Sequence, residues 1–171
     1  LLLGNAKNAG SGLLLGPNDR DGKAEFRIPA NVSGHTEIME YKISKGILAA
    51  GGLPQEIGVY SSATHMHWVG KDMRIEVERG TAEGEGGESP AKECLIETPD
   101  WDFSWQRSYR YDTAIESLPK IRGGDTIRLS CMYDNTKDNK RLMGALMSEH
   151  ITEPQDVSLG EATTNEMCIG S

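Results

Sequence analysis

The feature that most constrains the fold is a strict alternation of apolar and polar residues in two segments. Residues 126–133 read Thr-Ile-Arg-Leu-Ser-Cys-Met-Tyr, and residues 73–79 read Met-Arg-Ile-Glu-Val-Glu-Arg. Successive side chains of a β-strand point to opposite faces of the sheet, so this pattern predicts strands with one buried face. The side chains predicted to point inward are Met73, Ile75, Val77, Ile127, Leu129, Cys131 and Tyr133.

Further short β-rich segments are separated by turn residues, because 20 Gly and seven Pro are spread along the 171 residues. The segments predicted to be extended are residues 13–15, 24–29, 58–65, 93–97 and 101–106 with 108–111, and residues 160–169 are predicted to run from loop into a strand. Residues 37–47 fit either a strand or a helical turn, and residues 140–157 follow no regular period. Turns are predicted at residues 34–36 and 70–72, and an acidic Gly-rich loop is predicted at residues 80–88. About eight strands with almost no helical periodicity predict an all-β domain, an antiparallel jelly-roll β-sandwich. We expect one domain over 1–171, with 1–12 as loop.

The net charge and the length of the apolar runs argue against nucleic-acid binding and against a membrane span. The net charge is −8 and the pI about 5.0, so a general nucleic-acid binder, which carries a basic face, is not expected. The two Leu-Leu-Leu runs, at residues 1–3 and 13–15, are too short for a membrane span. We therefore expect no nucleic acid partner and no membrane span.

The first candidate site is the pair His65 and His67 in the segment Thr-His-Met-His-Trp at residues 64–68. On an extended strand the two imidazoles share a face, with Cα atoms roughly 6.5–7 Å apart, and both can reach one metal ion. Met66 then points the other way, into packing. Surface or packing histidines are the alternative interpretation, because His-X-His alone is a weak signal.

A third candidate ligand, Met167, lies a hundred residues later, in Glu-Met-Cys at residues 166–168. A thioether is a soft ligand that favours copper, whereas zinc more often recruits Cys, His or a carboxylate. Two His and one Met leave a coordination position open, as a catalytic site requires. A methionine that only fills the core is the alternative.

Four motifs in this order resemble the C-terminal domain of the copper type II, ascorbate-dependent monooxygenases, the family of peptidylglycine α-hydroxylating monooxygenase and dopamine β-monooxygenase. They are Thr-His-Met-His-Trp-Val-Gly at 64–70, Trp-Asp-Phe-Ser-Trp-Gln at 101–106, Gly-Asp-Thr-Ile-Arg-Leu-Ser-Cys-Met-Tyr-Asp-Asn-Thr at 124–136 and Gly-Glu-Ala-Thr-Thr-Asn-Glu-Met-Cys at 160–168. The resemblance covers residues 13–170, and the second motif with Tyr-Asp-Asn at 133–135 is similar to the bacterial branch.

The resemblance implies that His65, His67 and Met167 ligate one copper ion, which activates dioxygen to hydroxylate a C–H bond of the substrate. It also implies a Cys131–Cys168 disulfide, and hence a secreted or periplasmic protein. Ascorbate or another reductant would supply electrons through a preceding copper domain. The chain has no His-His pair before residue 65, so that domain is not part of this sequence.

Two positions depart from the amidating members of the family. Those members carry an Arg two residues before the first ligand His, where this chain has Ala63. They carry a polar residue after the Met-Cys pair, where this chain has Ile169. A peptide carboxylate would lack its ion-pair partner, so peptide amidation is not expected.

Two other functions are also compatible with the residues. One is a non-catalytic copper-binding or protein-interaction module, and the other is a β-sandwich whose histidines hold no metal.

Without the resemblance, the three cysteines could equally be three buried thiols. Within it, Cys94 has no partner and is expected to be a buried thiol or to pair outside the chain. His35 and His150 are expected on exposed loops or in local hydrogen bonds. Trp101 and Trp105 are expected in a core stripe, with a substrate cleft as the alternative.

Overall fold

The computed structural model describes residues 26–80 and 91–171, which form antiparallel sheets and two short helices. Helix α1 is Lys45–Ala50 and helix α2 is Lys140–Ser148, and a 3₁₀ turn covers Ile115–Ser117. The strands of the described residues are β1 Arg27–Ile28, β2 Ser33–Lys42, β3 Glu56–Gly58, β4 Ser61–His65, β5 Gly70–Glu78, β6 Lys92–Thr98, β7 Ser108–Arg110, β8 Lys120–Arg122, β9 Thr126–Asp134, β10 Val157–Ser158 and β11 Ile169–Gly170. The all-β prediction is confirmed.

The largest sheet has the strand order β2-β9-β5-β6, with every neighbouring pair antiparallel. Its two central strands are the two alternating segments of the sequence. Every second residue is buried throughout β9 and from Met73 onward in β5, as the pattern predicts, because one face of the sheet lies against the core. The confirmed inward side chains are Met73, Ile75, Val77, Ile127, Leu129, Cys131 and Tyr133.

A smaller sheet with the order β11-β4-β7 covers the inner face of the large one. A Cβ added to Gly170 in β11 would lie 2.7 Å from Ile75 Cδ1 and 3.0 Å from Leu129 Cδ1, so the two layers touch there. A disulfide between Cys131 and Cys168, with Cα atoms 6.0 Å apart, ties β9 to the start of β11. The arrangement is sandwich-like, and the expected Cys131–Cys168 bond is present.

Two two-stranded sheets complete the described fold, β1 with β10 and β3 with β8. Ile28 and Val157 come from the first, Ile121 from the second, and Leu142 and Leu146 from α2, and all join the same hydrophobic core. No helix within residues 26–80 and 91–171 is long and apolar enough to cross a membrane.

Several local predictions are wrong. Residues 101–106 form turns rather than a strand, because Trp101 enters the core while Trp105 is 54% exposed, so the aromatic side chains do not share one face. Residues 140–148, expected to be irregular, form α2, which begins at Asn139, whose side chain accepts a hydrogen bond from the Leu142 amide.

Two predicted turns are also wrong. Residues 70–72, a predicted turn, begin β5 instead. Residues 34–36, also a predicted turn, belong to β2, where Gly34 adopts φ +76° at a register shift. The ambiguous segment 37–47 contains the end of β2 and the start of α1. The predicted strand at 13–15, the predicted loop at 1–12 and most of the acidic Gly-rich segment lie outside the described residues.

Candidate functional site

The candidate site lies where β4 ends and the chain turns toward β5. His65 is the last residue of β4, and His67 follows in the turn. Their ring centroids are 5.1 Å apart, with the planes at 88°. Met66, between them, is fully buried, so it points into packing as predicted. The structure therefore brings the two imidazoles together.

Each imidazole is held by a hydrogen bond at its Nδ1 atom. His65 Nδ1 is 2.7 Å from Gln106 Oε1, and His67 Nδ1 is 3.1 Å from the backbone oxygen of Asn165. Both partners are acceptors, because Gln106 donates through Nε2 to the Phe103 carbonyl at 2.9 Å. Each Nδ1 therefore carries the proton, and the lone pair lies on Nε2. Such a hydrogen bond at one ring nitrogen is typical of a metal-ligating histidine.

The protonation state of both rings also suits metal binding. Burial lowers the pKa of His65 below its ordinary value, and the neighbouring His67 lowers it further, against the opposing effect of the Gln106 hydrogen bond. Burial likewise lowers the pKa of His67, with hydrogen bonds to the backbone of Asn165 and Ala162 acting in the other direction. Both imidazoles are therefore neutral at pH 7, the form that binds a metal.

The backbone of Met167 lies near this pair because β11 is paired with β4. Ile169 is opposite His65 and Gly170 is opposite Thr64, and the paired strands end there. Met167 precedes the start of β11 by two residues. The backbone oxygen of Met167 is 3.3 Å from the Tyr133 hydroxyl, which donates to it. The disulfide at the adjacent Cys168 fixes the same segment from the other side.

A buried carboxylate, which the sequence analysis did not identify, connects the two halves of the site. Glu166 is fully buried, and its Oε1 accepts hydrogen bonds from the backbone amides of His67 and Met167, the second at 2.9 Å. Its Oε2 has no hydrogen-bond partner among the described residues. Burial raises the pKa of Glu166 to about 8, although nearby backbone amides, that of His67 foremost, favour the charged form.

Aromatic side chains enclose the histidines. Trp101 Nε1 donates to the backbone oxygen of His67 at 3.1 Å, and the Trp101 ring lies 6.5 Å from that of His65. The Phe103 ring is 5.8 Å from His67 and 4.4 Å from Trp68. The second motif of the sequence therefore packs around the first, and Trp101 is a core residue as expected.

The remaining predicted residues lie elsewhere. The side chain of half-buried His35 makes a local hydrogen bond to Glu37, at 2.7 Å, and His150 is exposed. Both agree with the prediction of exposure or local hydrogen bonding. The expectation of a buried Cys94 is wrong, because this thiol is free and exposed on β6. Trp105 is exposed rather than part of a core stripe.

No group of three or more His, Cys, Asp and Glu side chains among residues 26–80 and 91–171 is placed to hold a metal ion. Methionine, the third candidate ligand, is not one of these four residue types. Comparison with models of known protein families gives no match, and comparison with curated proteins gives none either.

Proposed function

We propose that this chain is the copper-binding domain of an ascorbate-dependent monooxygenase-like protein, with His65, His67 and Met167 as the copper ligands. The observation that carries the proposal is the pair of neutral imidazoles with ring centroids 5.1 Å apart, each hydrogen-bonded at Nδ1 to an acceptor that orients the ring. The motif resemblance supplies the family, and a jelly-roll topology for the sandwich is part of the same proposal.

The donor set fits copper on chemical grounds. Two imidazoles with one thioether form a mixed set that suits copper, especially Cu(I), better than zinc, calcium or magnesium. Met167 is only partly buried and follows a glutamate whose carboxylate fixes its backbone amide next to that of His67. The backbone of Met167 is thereby held next to that of His67.

When bound, copper supplies the one-electron chemistry with dioxygen that hydroxylation of a C–H bond requires. The chain's own residues set the geometry. Gln106 and the Asn165 carbonyl fix the tautomer and orientation of the two imidazoles. Glu166 links the segments that carry His67 and Met167, and the disulfide at Cys168 ties the second segment to β9. Trp101 and Phe103 place apolar rings beside the two imidazoles.

Electrons would come from ascorbate or another reductant through a preceding copper domain or a partner protein. The disulfide is compatible with an extracellular protein, and we propose a secreted or periplasmic location. The substrate is not expected to be a peptide anchored by its carboxylate. Ala63 is joined to Ser171 by two backbone hydrogen bonds, of 2.7 and 3.0 Å, and offers no cation there.

Copper stoichiometry tests the proposal. The purified chain should bind one Cu(I) per molecule, and His65→Ala, His67→Ala and Met167→Ala should each weaken that binding. His150→Ala and Met147→Ala are matched controls, because both side chains are exposed and distant in sequence from the ligand motifs. Equal copper binding by all five variants and the wild type would refute the assignment of ligands.

The non-catalytic alternative is separated by a second measurement. Reductant-dependent oxygen consumption by a protein that includes the preceding domain supports the monooxygenase. Stoichiometric copper without such consumption favours a copper-binding module of a larger assembly.

A further inference from the structure

A second concave site lies next to the candidate copper site but does not include its histidines. It is a cavity of about 500 Å³, and aromatic side chains dominate its apolar wall, chiefly Trp101, Trp105 and Tyr109. Trp105 and Tyr109 are 54% and 41% exposed, and Trp105 Nε1 donates a hydrogen bond to the Tyr109 hydroxyl. The Arg107 guanidinium lies over the Trp105 ring, 4.3 Å from its centroid, but Arg107 does not line the cavity. The two joined aromatic rings form a preorganised part of the cavity wall.

The two aspartates and the arginine on the polar rim of this cavity are in ion pairs. The Asp100 carboxylate is 3.5 Å from Lys71 Nζ and 3.6 Å from Arg141, and the Asp102 carboxylate is 3.4 Å from Arg141. Glu97, also on the rim, lies opposite Arg74 in the β5–β6 register, and Arg74 itself pairs with Glu76 at 3.2 Å. The rim therefore offers planar donors and acceptors, with both aspartates compensated by Lys71 and Arg141.

The ion pairs on the rim determine whether a charged or a neutral ligand can bind in the cavity. A cationic ligand would have to compete with Lys71 and Arg141 for the Asp100 carboxylate, and an anionic ligand would meet three carboxylates. A neutral ligand with many hydroxyls can hydrogen-bond to the free lone pairs and N–H groups of these pairs while leaving them intact. A pyranose ring also offers a face of C–H groups to the electron-rich faces of aromatic rings.

We propose that this cavity binds a neutral oligosaccharide, with one sugar ring against Trp105 and Tyr109 and its hydroxyls bound by Asp100, Asp102 and Arg141. A volume of about 500 Å³ lies within the range of small-molecule sites, which is roughly 300–1,000 Å³. The proposal does not depend on copper, because neither candidate histidine lines the cavity and Trp101 separates it from His65.

Indole resonances provide the test, because the chain has three Trp and each gives one indole N–H signal in a ¹H–¹⁵N spectrum. The metal-free protein is titrated with cellotetraose, maltotetraose and N-acetylated chitotetraose, and separately with phenethylammonium as a cationic aromatic probe. We expect at least one tetrasaccharide to shift the Trp105 signal saturably, and the cation to shift it weakly or not at all.

Variants locate the binding. Trp105→Ala, followed through the Trp101 signal, and Tyr109→Ala should each weaken the binding of that tetrasaccharide about tenfold. Tyr60→Ala is the matched control, because Tyr60 is 53% exposed but does not line the cavity, and its affinity should equal that of the wild type. The proposal is overturned if no tetrasaccharide gives a saturable shift, if only the cation does, or if both cavity variants bind as tightly as the wild type.

Discussion

The carboxyl group of Glu166 accepts a hydrogen bond from the backbone amide of His67, although the two residues are 99 positions apart in the sequence. The same oxygen accepts the amide of Met167, so one buried side chain positions the backbone of two candidate ligands. A carboxylate in the core costs free energy when it is charged, and this cost appears as the pKa of about 8. The site thus contains a group whose charge opposes folding while its hydrogen bonds organise the fold.

The first prediction concerns the stability of the metal-free protein as a function of pH. The pKa of Glu166 is about 8 in the folded chain against an ordinary value of 4.5, so between these values the folded state holds a proton that the unfolded state has released. Glu166 should therefore make the free energy of unfolding decrease as pH rises from about 4.5 to 8, by at most about 1.4 kcal/mol per pH unit.

Urea unfolding at a series of pH values, with a chelator present, measures this effect against Glu166→Gln. The glutamine keeps an acceptor oxygen and stays neutral. The free energy of unfolding of the variant should therefore increase relative to that of the wild type as pH rises. His65 and His67 act in the opposite direction, because their lowered pKa values add stability that is complete above 6.5 and is lost at acid pH. Since both proteins contain them, they cancel, and a pH-independent difference would contradict the prediction.

The second prediction concerns the contact between the two sheets at Gly170. An added Cβ would come within 2.7 Å of Ile75 Cδ1, inside the packed core. Gly170→Ala should therefore lower the free energy of unfolding by about 1–3 kcal/mol, the usual cost of overpacking. Gly144→Ala in α2 is the matched control, because nothing lies within 4 Å of its added Cβ, and it should leave stability unchanged or raise it. Equal melting temperatures for the Gly170 variant and the wild type would show that the layers do not touch here.

The third prediction concerns the disulfide. Cys131 and Cys168 are 37 residues apart, and the chain-entropy model gives such a bond about 4 kcal/mol of stability. The double variant Cys131→Ser, Cys168→Ser should lose stability of this order in urea unfolding. Cys94→Ser is the control, because this thiol is exposed and free, and it should change little. A loss in the control equal to that in the double variant would contradict the assigned pairing.

The large sheet could be predicted from sequence because its signal is local. In β5 and β9 the alternation of Ile75, Val77, Ile127 and Leu129 directly reports which face is buried. The segment at residues 101–106 carried a similar alternation of aromatics and was predicted wrongly. There, the hydrogen bond from Trp101 to the His67 carbonyl and the exposure of Trp105 are set by tertiary contacts that no local pattern contains.

The site could be predicted only in part, for the same reason. His65 and His67 are visible as a pair because one residue separates them, and their closeness in the structure follows from that spacing. Gln106 and the Asn165 carbonyl, which orient the two rings, come from other parts of the chain and carry no signal of their own. In the sequence, Glu166 appears only as part of the motif at residues 160–168. Its contacts with the backbone amides of His67 and Met167 depend on its burial in the core.

The last prediction concerns the hydrogen bond that orients His65. Gln106 Oε1 accepts from His65 Nδ1 at 2.7 Å, and its own orientation is fixed by the bond from Nε2 to the Phe103 carbonyl. If His65 ligates copper, Gln106→Ala should weaken Cu(I) binding about 10- to 100-fold, because the ring loses the acceptor that sets its tautomer. Competition with a calibrated Cu(I) chelator measures the affinity.

Gln155→Ala is the matched control, since this exposed side chain lies outside the motifs, and it should bind copper like the wild type. Because Gln106 is itself exposed, its loss should leave the melting temperature of the metal-free protein nearly unchanged. Unchanged copper affinity in Gln106→Ala would mean that His65 is not a ligand through Nε2.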